Sequence, residues 1–161
     1  MLEELLRQYG KQGVLLDTNL LVMYLIGTYD KSLVPKFKRT SMYTVEDFEW
    51  LESYVSRFSK IIVTPQVMAE TWNFVEKLGK EIDQFLDKVL PTLFLFDEEY
   101  ISKETVLSAN GFNYVGVTDM SVIQAGVSLS CLVITDDFRA YSHFCQFSVP
   151  TININHLREV A

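Results

Sequence analysis

Short apolar runs that alternate with helix-like segments constrain the fold of this chain most strongly. Strand-like runs are predicted at residues 13–16, 60–64, 115–117, 131–135 and 149–154, with an extended edge segment at 93–96. Between them, apolar residues recur at helical spacing over 2–9, 19–26, 45–59, 65–89, 102–109 and 118–128, and 137–145 is helical or irregular. Strands that alternate with helices favour a parallel sheet covered on both faces. We therefore predict an α/β fold with three layers, α/β/α, around a mostly parallel central sheet.

Size and composition predict a single domain over residues 1–161. A chain of 161 residues with 48% hydrophobic and 22% charged residues buries a full core. The longest predicted helix has Thr64 as its N-cap and Pro65 at its first position, and we expect Pro91 to end it. Residues 28–43 lack helical spacing, and we predict an irregular, partly basic insertion there.

The charge and the cysteines bear on location and partners. No apolar run approaches the roughly 20 residues of a membrane helix, and the start lacks the pattern of a signal peptide, so we expect no membrane association. Two cysteines without metal-ligand spacing suit free thiols in a reducing cytoplasm. The net charge of −7 argues against nonspecific binding to nucleic acid. It does not exclude an enzyme that acts on nucleic acid, because metal ions can neutralise several of these charges.

Acidic residues follow four of the strand-like runs, at the points where helices begin. They are Asp17, Glu70, Asp119 and the pair Asp136–Asp137. Taken singly, each Asp can be explained as a helix N-cap. Glu70 fits that explanation less well, because it lies about a turn and a half into its helix. Ligands of open parallel sheets bind outside the carboxyl ends of the strands, and all of these acids are expected at that edge.

A cluster of carboxylates at one edge predicts a site for divalent cations. Two unit charges ~4 Å apart repel by ~4 kcal/mol at an effective dielectric of ~20, and a bound dication removes this penalty. Oxygen ligands without a nearby His or Cys favour Mg²⁺ or Mn²⁺ over Zn²⁺. A site with one or two such ions suits hydrolysis of a phosphodiester by a metal-activated water.

The acids stand in four motifs that resemble those of the PIN-domain nucleases. The motifs are Leu16–Leu21, Val67–Thr71, Thr118–Val122 and Val133–Phe138, with acids 53, 49 and 18 positions apart, and the resemblance covers about residues 14–149. It implies a PIN-like fold and metal-dependent endonucleolytic cleavage of RNA, usually single-stranded. Many small bacterial and archaeal members are toxins of toxin–antitoxin pairs, often dimeric and inhibited by a partner peptide, and others process ribosomal RNA. The long segment 28–43 departs from the compact toxins.

Carried over to this chain, the resemblance implies a set of catalytic and supporting residues. The metal-binding and catalytic acids are Asp17, Glu70, Asp119 and Asp137, with Asp136 as an alternative or additional metal ligand. Asn19, Thr118, Ser121 and Thr135 are implied as hydrogen-bonding partners that support these acids. The implied cofactor is Mg²⁺ or Mn²⁺.

The insertion at 28–43 contains candidate substrate-binding residues. Residues 35–39 alternate cations with an aromatic ring, a pattern that can hold a phosphate backbone and stack a base, although such loops are more often solvated surface. The candidates are Lys36, Lys38 and Arg39, together with Arg139 after the last acidic motif.

Two other functions remain open at this point. A PIN-like module could bind RNA or protein without cutting, because filled acidic positions do not establish their geometry. A phosphoacceptor receiver domain also clusters acids in an α/β fold, but it needs a Lys after a late strand, where this chain has Asp136–Asp137. The chain lacks a Gly-rich phosphate loop, which argues against nucleotide-dependent classes.

Overall fold

The structure, a computed structural model, describes residues 1–158 and contains one five-stranded sheet. The strands are β1 (Val14–Leu16), β2 (Ile61–Val63), β3 (Asp97–Glu98), β4 (Leu132–Thr135) and β5 (Thr151–Asn153). The helices in this range are α1 (Leu2–Tyr9), α2 (Thr18–Asp30), α3 (Val45–Val55), α4 (Pro65–Val75), α5 (Ile82–Leu93), α6 (Lys103–Ser108), α7 (Phe112–Val115), α8 (Val117–Leu129), α9 (Phe138–Gln146) and α10 (Ile154–Arg158). Three 3₁₀ turns lie at Lys31–Leu33, Lys38–Thr40 and Glu76–Glu81.

The sheet order is β3-β2-β1-β4-β5, and every pairing is parallel. Leu15 of β1 pairs with Ile62 of β2 on one side and with Val133 of β4 on the other. The chain moves outward from β1 through β2 and β3, then returns to the opposite side of β1 with β4. The direction of winding therefore reverses between β1 and β4, where open α/β sheets bind ligands. Helices flank the sheet, which confirms the predicted three-layer α/β/α fold.

Helix α2 forms the centre of one helical layer. The helix is apolar around its whole circumference and buried from Leu20 to Gly27, as expected for a helix inside a core. It contacts α3, α4 and α5. A Cβ atom on Gly27 would lie 2.1 Å from the Phe48 ring, so glycine allows α2 and α3 to pack closely. In the part of the chain that the structure describes, no helix is long and apolar enough to cross a membrane.

The predicted continuous helix at 65–89 is wrong. Helix α4 ends at Val75, a 3₁₀ turn follows, and α5 begins at Ile82. Gly79, with φ 61° and ψ −113°, has a backbone conformation that an α-helix does not contain, and the two helices meet there. Pro91 does not end the second helix, which continues to Leu93.

The predicted strand at 115–117 is also wrong. Val115 ends α7, Gly116 has φ 89°, and α8 begins at the next residue. An apolar run of this length fits a buried helix end as well as a strand, and no neighbouring strand pairs with it among residues 1–158.

Smaller differences concern the ends of elements. The segment predicted as irregular at 28–43 begins as the last turn of α2 and contains two 3₁₀ turns. Helix α3 ends at Val55, short of residue 59, and the edge strand lies at 97–98 rather than 93–96. The last strand ends at Asn153, where α10 follows directly.

Candidate functional site

The four predicted acids line one cavity of about 350 Å³, which we call the acidic cavity. Its polar lining consists of Asp17, Thr18, Asn19, Arg39, Glu70, Thr118, Asp119 and Asp137. Asp17 directly follows β1 and Asp137 follows β4, so the cavity lies at the carboxyl edge of the two strands between which the winding reverses. Elements far apart in the sequence therefore bring these acids together.

Asp17 is almost completely buried, with a relative exposure of 7%. Its Oδ1 accepts a hydrogen bond from the Leu20 amide at 3.0 Å as the N-cap of α2, and its Oδ2 accepts one from the Thr135 hydroxyl. Burial, and secondly the Asp136 carboxylate, raise the pKa of Asp17 to about 7. Asp17 is therefore both the N-cap of α2 and a carboxylate of the acidic cavity.

Asp119 lies in the first turn of α8, half-buried beside two other acids. Burial, and secondly the carboxylates of Asp137 and Glu70, raise the pKa of Asp119 to about 6, while the Arg139 guanidinium acts in the opposite direction. Asp119 is therefore repelled by the negative charges of two other carboxylates that line the acidic cavity, as expected for acids that share a site.

Glu70 is oriented by a hydrogen bond from α8. The Thr118 hydroxyl donates to its Oε2 at 2.6 Å. Ser121 Oγ donates to the Thr118 carbonyl at 2.7 Å and shares a hydrogen bond of 2.9 Å with the Thr64 hydroxyl, which caps α4. This chain of contacts joins the start of α4 to the start of α8.

The structure separates the roles of Asp136 and Asp137. Asp137 is exposed and lines the acidic cavity, while its Oδ1 accepts from the amides of Arg139 and Ala140 as the N-cap of α9. Asp136 is not among the residues that line the cavity. Its Oδ1 accepts from Asn19 Nδ2 at 3.1 Å, and its Oδ2 accepts from the Tyr43 hydroxyl. The geometry therefore favours Asp137 as the fourth cavity carboxylate.

The segment 28–43 reaches the site through two side chains. An Arg39 Nη donates to Asn19 Oδ1 at 2.6 Å, and buried Tyr43 donates to Asp136. The contact of Tyr43 with Asp136 was not predicted. The two residues are 93 positions apart, and neither a helical or strand periodicity nor a shared sequence motif connects them.

The remaining candidates for substrate binding lie outside the acidic cavity. Arg139 is exposed and donates to the Tyr114 carbonyl at 3.2 Å. Lys36 and Lys38 line a neighbouring cavity that also includes Arg39.

The acidic cavity provides the donor chemistry of a hard cation. Its ligands would all be carboxylate oxygens, which suits Mg²⁺ or Mn²⁺. Within residues 1–158, no group of three or more His, Cys, Asp or Glu side chains is arranged closely enough to hold a metal ion. The carboxylates thus surround one space without forming a finished ligand shell.

Comparison with known proteins does not assign a family. No family model matches the chain, and searches among curated proteins and solved structures find no match. The resemblance to PIN-domain nucleases therefore depends on the four motifs alone and stays a prediction.

Proposed function

We propose that this chain is a metal-dependent endoribonuclease that hydrolyses phosphodiester bonds of single-stranded RNA. The observation that supports the proposal is the meeting of Asp17, Glu70, Asp119 and Asp137 in one cavity at the edge where α/β sheets bind ligands. Buried, mutually repelling carboxylates destabilise a fold, and groups with such perturbed pKa values concentrate at functional sites.

In this proposal the four acids hold Mg²⁺ or Mn²⁺, which when bound supplies charge stabilisation for the phosphate and a water nucleophile at neutral pH. Thr135 and Thr118 orient Asp17 and Glu70 by donating hydrogen bonds to their carboxylates. Further support comes from Ser121, which fixes the Thr118 backbone, and from Asn19, which connects Asp136 to Arg39.

The proposed place of action is the cytoplasm. Cys131 is buried, Cys145 is exposed, and both are free thiols, which suits a reducing compartment. Two cellular roles fit the proposed activity, a toxin held by an antitoxin partner and an enzyme that processes RNA. Either role is compatible with a homodimer.

A second candidate is a PIN-like module that binds RNA or protein without cutting. One observation favours it: in the described part of the chain, the acids do not form a finished metal-binding group. The two candidates differ in a single measurable property, the metal-dependent breakage of RNA.

The test is incubation of the purified protein with a mixture of single-stranded RNAs in Mn²⁺ or in chelator. We expect cleavage in Mn²⁺ only, and a loss of at least about 100-fold in Asp17→Asn and Asp119→Asn, with both variants folded. Asp87→Asn is the matched control, because Asp87 is exposed on α5 and does not line the acidic cavity. Cleavage at the wild-type rate in both variants would show that the site is assigned wrongly. Binding without any cleavage by the wild type would support the second candidate.

A further inference from the structure

A second cavity of about 560 Å³ adjoins the acidic cavity and has the opposite charge. Four cations line it, Lys36, Lys38, Arg39 and Lys77, together with apolar side chains that include Met42 and Phe74. None of its described lining residues is acidic. The chain as a whole has 21 acidic and 14 basic residues and is therefore negatively charged, whereas this cavity is lined by four cations. We call this space the basic cavity.

Phe74 organises two of these cations. The Arg39 guanidinium lies 3.9 Å from the centroid of the Phe74 ring, and Lys77 Nζ lies 5.5 Å from it. An aromatic face attracts a cation without neutralising its charge. Among the ion pairs of the described residues, none includes Lys36, Lys38 or Lys77. The positive charge of the basic cavity is therefore available to an anion.

Arg39 belongs to both cavities. Its Nη donates to Asn19 Oδ1 at 2.6 Å on the side of the acidic cavity, while its Nε is buried without a hydrogen-bond partner. A buried donor without a partner is costly unless a ligand satisfies it. Because Arg39 lines both cavities, a strand that occupies the acidic cavity lies next to a residue of the basic cavity.

We propose that the basic cavity is a second phosphate-binding subsite, which holds single-stranded RNA beside the bond that is cut. Only the identity of the reacting bond depends on the proposed nuclease function, because the subsite binds RNA whether or not cleavage follows. The local cations explain how a chain with a net charge of −7 binds a polyanion. Met42, which is 62% exposed, offers an apolar surface to a base or ribose of the same strand.

The test measures RNA binding in chelator, where no metal-dependent cleavage takes place. The dissociation constant of a fluorescent 12-nucleotide oligouridine is determined by anisotropy across a series of salt concentrations. We expect Lys38→Ala/Lys77→Ala to weaken binding about tenfold at low salt and to lower the slope of log K against log salt by about 1.4, since each lost contact with a single strand removes about 0.7. Both lysines are exposed, so the variant should melt like the wild type. Lys11→Ala is the matched control and should change neither quantity, because exposed Lys11 lies before β1 at the opposite edge of the sheet.

The outcomes separate this proposal from the nuclease proposal. Unchanged affinity and salt slope in the double variant would overturn the subsite, as would the absence of RNA binding by the wild type. Polyglutamate that binds as tightly as RNA would also overturn it and would indicate a site for acidic protein. If the double variant loses affinity as expected but the wild type never cuts RNA in Mn²⁺, the subsite stands and the nuclease proposal falls.

Discussion

Replacement of Asp17 by Asn should stabilise the metal-free protein at neutral pH. The carboxyl is 7% exposed and lies near Asp136, and these surroundings raise its pKa from an ordinary 3.8 to about 7. A carboxyl with a higher pKa in the folded state binds its proton more tightly there than in the unfolded chain. Protonation of Asp17 therefore stabilises the folded state. This stabilisation is fully present below about pH 3.8 and is lost as the pH rises through about 7.

The expected gain in stability follows from the difference between the folded and unfolded pKa values of Asp17. A pKa difference of about 3 between the folded and unfolded states corresponds to about 4 kcal/mol of lost stability above pH 7. Asn at this position avoids the loss because it stays neutral. It still accepts from the Leu20 amide, but its NH₂ group faces the Thr135 hydroxyl in place of an acceptor oxygen, which costs about 1 kcal/mol. The expected net gain is about 3 kcal/mol, or about 6–12 °C in Tm for a domain of this size.

The assay is thermal or urea unfolding in chelator at pH 8 and at pH 4.5. The variant should be more stable than the wild type at pH 8, and the advantage should shrink to nothing or reverse at pH 4.5. Addition of Mn²⁺ should raise the Tm of the wild type more than that of the variant, because ligands that bind only the folded state stabilise it. Asp87→Asn should behave like the wild type in every condition. A variant that is less stable at pH 8, or an advantage that does not depend on pH, would refute the reasoning.

Two further substitutions test the surroundings of the site and the packing of the core. Thr118→Val removes the hydroxyl that donates to Glu70, so Mn²⁺-dependent cleavage should fall about 10- to 100-fold while Thr118→Ser keeps most of it, as measured by Mn²⁺ titration of the cleavage rate. Equal rates in the two variants would mean that the hydroxyl does not position Glu70. Gly27→Ala places a Cβ 2.1 Å from the Phe48 ring and should lower the free energy of unfolding by about 1–3 kcal/mol in urea titrations. An unchanged urea midpoint would show that α2 and α3 move apart at little cost.

The sheet could be predicted because its strands carry their own signals. The runs at β1, β2 and β4 are apolar throughout, as expected for strands covered on both faces, and each ends at a polar residue near a helix start. The apolar run around Gly116 carries the same signal but folds as two helices. Pairing partners and a glycine with positive φ decide between these outcomes, and a local pattern reveals neither.

The site was partly predictable for a related reason. Parallel topology alone brings Asp17 and Asp137 to one edge, so their placement follows once the strands are recognised. The contact of Tyr43 with Asp136 and the stacking of Arg39 on Phe74 depend on how the segment 28–43 folds back over α2 and α4. The path of this segment depends on tertiary packing, and no local periodicity of the sequence predicts it.

The central position of β1 has a consequence for synthesis on the ribosome. Asp17 is synthesised before the hydroxyl that donates to it, which belongs to Thr135, 118 residues later in the chain. A nascent chain therefore carries β1 without its β4 partner until β4 is extruded, and the carboxylates stay apart until then. The acidic cavity is therefore assembled only after the whole segment from β1 to β4 has left the ribosome.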